Sequence, residues 1–411
     1  MAGRFRGSSR QTAGKMNPTG FGLVAAASAS SQPLHVLTLT PFYPTQNDDT
    51  GGCFVSEPLS WLEARGISNT VMAVQPIYRA KSHAQPPARW FRYAALPGGL
   101  GLSSAGAFVF ARIVGHVRQL HRVRPIDLVH AHAPLPCGHA AMLLSRELGI
   151  PYVVSVHGLD AFSTTQVTGR AGRWCRRISQ RVYQSSRRVI CVSERVREQV
   201  LEGAGGTCRT SVVYNGVDPA VFFPVPAAAS VSPLILSVGN LIPSKGHEVL
   251  LRALALLAVE FPAITCEIIG DGPQRSPLEA LARQMQISGR IRFMGRQSRH
   301  QVAEAMQRCT LFVLPSSHEG LGCVYLEAMS AEKAAIGCRG QGIAEIIQHG
   351  WNGFLVGPEN AQELKLAMAM LLRDETRRRN IGTAARETIL ERLTLDHQAE
   401  NLARIYRESL A

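Results

Sequence analysis

The chain has 411 residues, 45% of them hydrophobic, enough to bury the cores of two or three domains and too apolar for a disordered protein. Its formal charge of +14 is uneven, with 24 Lys/Arg against 11 Asp/Glu in residues 1–230 and 20 against 19 in residues 231–411, but no zinc finger, helix-turn-helix or aromatic-interleaved basic motif points to nucleic acid. Nine scattered cysteines without a Cys-x-x-Cys pair read as reduced thiols and not as a disulfide frame or zinc site, and no apolar run is long enough to suggest a membrane-spanning helix.

Residues 1–33 read as a disordered extension; Arg4, Arg6, Arg10 and Lys15 ahead of Phe21–Ala29 mimic a secretory signal only superficially. From Leu34 short apolar runs alternate with longer helical stretches, the pattern of βαβ units on a parallel sheet. His35–Thr40, Thr70–Val74, Leu128–His130, Tyr152–Val156 and Val189–Val192 are the strands expected of a first doubly wound domain. Asp49-Thr-Gly-Gly-Cys-Phe-Val55 follows the first strand as a glycine-rich turn should if backbone N–H groups are to approach a ligand. Gly98–Gly115 predicts an amphipathic helix with Ser103, Ser104 and Arg112 on it. His157 stands at the carboxyl end of a strand, where side chains reach a cleft. His130 and His132 lack further ligands at usable spacing, so no metal site is expected. Arginines between Arg170 and Arg197 form either a solvated helix face or a surface for anionic membrane, where each adds about 1 kcal/mol.

Tyr214–Asp218 ends the first domain, and Phe222–Pro233 is a proline- and alanine-rich connector. Leu234–Val238, Thr265–Ile269, Ile291–Met294, Leu311–Leu314 and Ala334–Gly337 are then strands of a second doubly wound domain. Two such domains joined by a hinge predict a cleft beyond the carboxyl ends of their strands. Lys245, in Val238–Gly246, sits in a loop between strand and helix, where an ammonium can neutralise a leaving diphosphate. The segment around Arg296 offers a backbone edge for a nucleotide base.

The most informative stretch is Pro315-Ser-Ser-His-Glu-Gly-Leu-Gly-Cys-Val-Tyr-Leu-Glu-Ala-Met329, a strand end, a turn bracketed by Gly320 and Gly322, and a helix start. Free amides of Leu321, Gly322, Cys323 and Val324 would face a phosphate or pyrophosphate in front of the helix. Glu319 and Glu327 flank that site and, being like-charged with phosphate, would hold hydroxyl groups on either side of it. A sugar, a diphosphate and a ribose fit the layout.

With Ser237-Val-Gly-Asn-Leu-Ile-Pro-Ser-Lys-Gly246, this Glu-x7-Glu segment resembles the nucleotide-sugar site of glycosyltransferase family 4, a retaining group with the GT-B fold, from about residue 34 to the C-terminus. The resemblance implies an α/β architecture of two Rossmann-like domains facing a cleft. The boundaries are an acceptor domain at 34–218, a linker at 219–233, a donor domain at 234–394, and a helix at 395–411 crossing back to the first domain. It implies that Glu327 binds the ribose and that Glu319 contacts the transferred sugar as nucleophile, base or electrostatic support. It also implies that His157 approaches a sugar hydroxyl and pairs with Glu319 on closure, and that Gly51 and Gly52 close over the diphosphate. Many family members carry arginine where this chain has Asn240, which can donate hydrogen bonds but no charge, and Ala344 stands where proline is common. No cofactor and no metal ion are expected, since Lys245 and helix dipoles can meet the leaving charge. The expected partners are a nucleotide-sugar donor, a carbohydrate or lipid-linked acceptor and the cytoplasmic face of an anionic membrane. The expected activity is hexosyl transfer in surface polysaccharide synthesis, with a nucleotide-sugar epimerase and a non-catalytic basic adaptor as rivals.

Overall fold

The computed structural model describes residues 33–46, 48–79, 85–95, 101–161, 168–226 and 232–411. Outside them lie residues 1–32 of the expected extension, the first residues of the Gly98–Gly115 stretch and residues 227–231 of the connector.

Runs such as Leu128–His132 and Tyr152–Val156 are buried throughout, without the polar alternation of a half-exposed strand, and they form the interior of parallel sheets. The first sheet comprises β1 (Leu34–Thr40), β2 (Ile67–Pro76), β3 (Arg89–Tyr93), β4 (Leu128–His132), β5 (Tyr152–Val156), β6 (Arg188–Cys191) and β7 (Thr210–Val212) in the order β3-β2-β1-β4-β5-β6-β7. Its helices are α1 (Cys53–Ser56), α2 (Pro58–Glu63), α3 (Leu102–Val123), α4 (His139–Leu148), α5 (Gly169–Ser185) and α6 (Glu194–Ala204). The second sheet, β8 (Leu234–Val238), β9 (Thr265–Ile269), β10 (Ile291–Gly295), β11 (Leu311–Val313), β12 (Ala335–Cys338) and β13 (Phe354–Val356), has the order β10-β9-β8-β11-β12-β13. With it run α7 (His247–Leu257), α8 (Arg275–Gln284), α9 (Arg299–Arg308), α10 (Cys323–Ser330), α11 (Ala361–Arg373), α12 (Glu375–Arg392) and α13 (Leu395–Leu410). Both sheets are therefore doubly wound. Their order reverses between β1 and β4 and between β8 and β11, the switch points where such sheets place ligands.

One apolar cluster extends from Leu37 and Val129 through Val217 and Phe222 to Leu314 and Met329, so Phe222 of the connector lies inside a core shared by both sheets. The last helix, α13, puts Ala399, Leu402, Ile405 and Tyr406 against Val36, Leu128 and Val153 of the first sheet. Its Tyr406 hydroxyl lies 2.7 Å from His130 Nδ1, and His130 Nε2 lies 2.7 Å from Ser155 Oγ. Helix α3 runs well past Gly115, burying Val109, Ile113 and Val117.

Burial holds His130 and His157 neutral, down to about 3, and burial followed by His130 pushes His132 well below the usual range. The unfolded chain takes up protons at these sites below about pH 6.5 while the folded chain does not, so their contribution is complete above that value and is lost as pH falls toward 3. The urea midpoint should therefore drop between about pH 7.5 and about pH 5, and the drop should shrink in His130→Gln. An equal drop in that variant would contradict the assignment.

Candidate active site

Helix α10 begins at Cys323 after Gly322, which adopts a left-handed conformation (φ +85°) and supplies no side-chain cap. A serine or asparagine there would satisfy one of the first amides; glycine leaves them open. Among the described residues, no protein acceptor takes the amides of Leu321, Gly322, Cys323 or Val324. The turn in front is fixed from behind. Glu319 N–H donates to Gln341 Oε1 at 3.0 Å, and Gly342 N–H donates to the Glu319 carbonyl at 3.2 Å. A Cβ on Gly320 would overlap the His157 carbonyl, and one on Gly342 would overlap the Gly320 carbonyl, so only glycines permit the approach.

Two ion pairs flank this helix start. Lys245 Nζ lies 2.5 Å from Glu319 Oε2, with both side chains mostly buried, and Arg299 Nη1 lies 2.5 Å from Glu327 Oε1. Glu327 is 2% exposed, and its second oxygen, Oε2, is buried without a partner among the described residues. An ionised carboxylate oxygen is a strong acceptor that seeks a donor, which a ribose hydroxyl would supply. Burial opposes the Arg299 charge, but Glu327 and, more weakly, Cys53 and Glu57 outweigh it and raise the guanidinium above its ordinary range.

His157 approaches from the first domain. Its Nε2 lies 3.1 Å from His132 Nδ1, the two rings stack at 5.3 Å, and Phe54 lies at 4.6 Å. Its Nδ1 is buried without a partner among the described residues. Glu319 pairs here with Lys245, burial keeps the His157 imidazole neutral, and the two domains meet at this turn through the backbones of His157, Gly158 and Gly320; the pairing of His157 with Glu319 is expected only on closure. The Gly51 amide donates to Asp48 Oδ1 at 3.0 Å. Gly52 has a φ of +82° and caps α1 with its backbone wedged against Phe42 and Tyr43. Asn240 presents an exposed side chain from a loop braced by Gly239 N–H to Ile269 O at 2.9 Å and Leu241 N–H to Asp271 O at 3.0 Å. The Arg296 guanidinium, 61% exposed, lies 2.5 Å from Asp48 Oδ2 of the first domain. Ala344 is accommodated in a short helical turn, Gly342–Glu345.

Sequence reasoning missed the groups that join the domains. Ser193 Oγ donates to the Gly320 carbonyl at 2.6 Å, and the Glu345 carboxylate accepts the amides of Glu194 and Arg195 at 2.8 and 2.9 Å and the Tyr214 hydroxyl at 3.0 Å. A second-domain carboxylate thus caps the positive end of α6 in the first. Arg299 was missed too, although the Ser298–Gln301 capping box after β10 marks a helix start at a strand's carboxyl end.

No cluster of three or more His, Cys, Asp or Glu suited to a metal ion occurs among the described residues. The arrangement can seat a diphosphate on amides and a lysine, with hydroxyl-binding carboxylates on either side. Residues 57–221 match the profile of Glycosyltransferase Family 4, and residues 222–388 match that of Glycosyl transferases group 1. An uncharacterised glycosyltransferase of Methanocaldococcus jannaschii is 31% identical over 64% of this chain and 70% of its own length. The alpha-maltose-1-phosphate synthase of Mycolicibacterium smegmatis is 30% identical over 71% and 81%. In fold the chain resembles the sucrose-phosphate synthase of Thermosynechococcus elongatus, with a TM-score of 0.76 over 91% of this chain and 98% of that one at 19% identity. It likewise resembles Anabaena HepE in complex with UDP-glucose, with a TM-score of 0.73 over 91% and 100% at 20% identity. The chain is a glycosyltransferase of family 4, with the two-domain GT-B fold.

Proposed function

We propose that the protein transfers a hexose, with retention at the anomeric carbon, from a nucleotide diphosphate sugar to a hydroxyl of a carbohydrate acceptor. The observation that carries this reading is the uncapped start of α10 between Glu319–Lys245 and the free oxygen of Glu327. Seated there, the diphosphate would lie on the amides of Leu321–Val324. Glu319 would then touch the sugar and Glu327 the ribose. Charge builds on the phosphate oxygens as the sugar–phosphate bond breaks, and donors fixed in advance lower the barrier most at that point. Lys245 is poised to turn from Glu319 to the leaving phosphate. That turn would leave Glu319 as an unmasked anion beside the electron-poor anomeric carbon. With Asn240 uncharged, Lys245 and the amides carry this task, and the reaction is read as independent of a divalent ion. HepE, crystallised with UDP-glucose, lends support for the donor class. His157 would offer a neutral imidazole to a sugar hydroxyl.

The acceptor is read as lipid-linked, with the chain docked on an anionic membrane for surface polysaccharide assembly. Support comes from α5, which carries Arg170, Arg173, Arg176, Arg177 and Arg181 and no acid, and from Trp174 on it, 61% exposed. Indole and guanidinium together suit the headgroup layer. No helix among the described residues is long and apolar enough to cross a membrane.

Lys245→Ala and Glu319→Ala should each reduce kcat for sugar transfer by at least about 10²-fold while cooperative unfolding persists. Normal turnover in either would remove that residue from the mechanism. Arg173→Glu with Arg177→Glu should weaken co-sedimentation with phosphatidylglycerol vesicles by about tenfold or more and leave phosphatidylcholine vesicles unaffected. Undiminished binding would overturn the docking face.

A further inference from the structure

Arg299, the first residue of α9, touches three parts of the molecule at once. Nη1 reaches Glu327 Oε1 at 2.5 Å, while Nε and Nη2 reach Glu57 Oε1, in the first domain, at 2.9 and 2.7 Å. The guanidinium carbon lies 4.7 Å from the centre of the Phe222 ring in the connector, and the Arg299 amide donates to both oxygens of Asp49 at 3.2 Å. Its side chain is 16% exposed. A planar guanidinium can serve two carboxylates along different edges in a fixed fork, a geometry that the compact, freely rotating ammonium of lysine does not reproduce.

The consequence concerns Glu327. One oxygen is fixed by Arg299 and the other is buried and unpartnered, so the direction of the free oxygen follows from where Arg299 stands. Without Arg299 the carboxylate would lose the contact that fixes one of its oxygens and could swing away, which weakens it as a directed acceptor. Glu57, Asp49 and Phe222 in turn leave Arg299 little freedom to move.

We propose that Arg299 is a positioning residue for the nucleotide: it fixes one oxygen of Glu327 and so aims the other at the ribose hydroxyls, held in place by Glu57 of the opposite domain. The inference rests on the reading of Glu327 as the ribose ligand. Calorimetric titration of the full chain with uridine, guanosine and adenosine diphosphates and their 2′,3′-dideoxy counterparts separates the two. The wild-type chain should prefer the ribo form of its nucleotide by about tenfold or more, and Glu327→Gln should lose that preference. Arg299→Lys and Arg299→Met should retain less than about threefold preference, with binding of inorganic pyrophosphate unchanged. Arg299→Lys keeps a cation among the carboxylates and carries the test if Arg299→Met does not fold. Full ribose preference in Arg299→Lys, alongside its loss in Glu327→Gln, overturns the inference alone. Wild-type chain that shows no preference, or binds none of the three nucleotides, overturns the reading of Glu327 and the inference with it.

Discussion

Four backbone amides at the start of α10 face outward because the residue ahead of them is a left-handed glycine without a side chain to cap them. Their alignment with the helix concentrates partial positive charge at one point, which an anion can relieve and a neutral side chain cannot. The nearby carboxylates are arranged around this constraint. Neither Glu319 nor Glu327 caps the amides; each is drawn to its own cation, Lys245 or Arg299. Capping by either glutamate would stabilise the helix and close the site.

The same point joins the two domains. Gly320 lies between the His157 carbonyl and Gly342, Ser193 holds the Gly320 carbonyl, and Glu345 caps α6 across the interface. The geometry of the turn before α10 and the domain position are thus linked through shared residues, so a shift of one domain changes the other's turn. Excluding water from such a site protects an activated sugar from hydrolysis and strengthens each charge interaction within it. The stacked His132 and His157 add a neutral wall on the first-domain side, next to His130, which Tyr406 ties to the helix returning from the chain's end.

Much of the architecture is legible in the sequence, because buried parallel strands are continuous apolar runs that end at glycine-rich turns. Strands at sheet edges are harder to read. Arg89–Tyr93 mixes an exposed and a half-buried arginine with aromatics, Thr210–Val212 has only three residues, and Phe354–Val356 is equally short, so none carries enough periodicity to announce itself. In the site, the glycines, Glu319, Glu327 and Lys245 stand out by spacing within single motifs. Arg299 and Glu345 do not, since their partners are Glu57 and the α6 amides, more than 100 residues away in the chain. The pairing of Glu319 with Lys245 likewise depends on burial and charge in three dimensions.

The leaving diphosphate is expected to sit on the uncapped end of α10. The most direct measurement is a crystal structure with the intact nucleotide sugar that most raises the melting temperature among UDP-, GDP- and ADP-linked sugars. The account predicts phosphate oxygens within hydrogen-bond reach of the amides of Leu321–Val324, Lys245 turned toward them, and a ribose hydroxyl on Glu327 Oε2. A donor bound elsewhere, or those amides satisfied by protein groups in the complex, would contradict it.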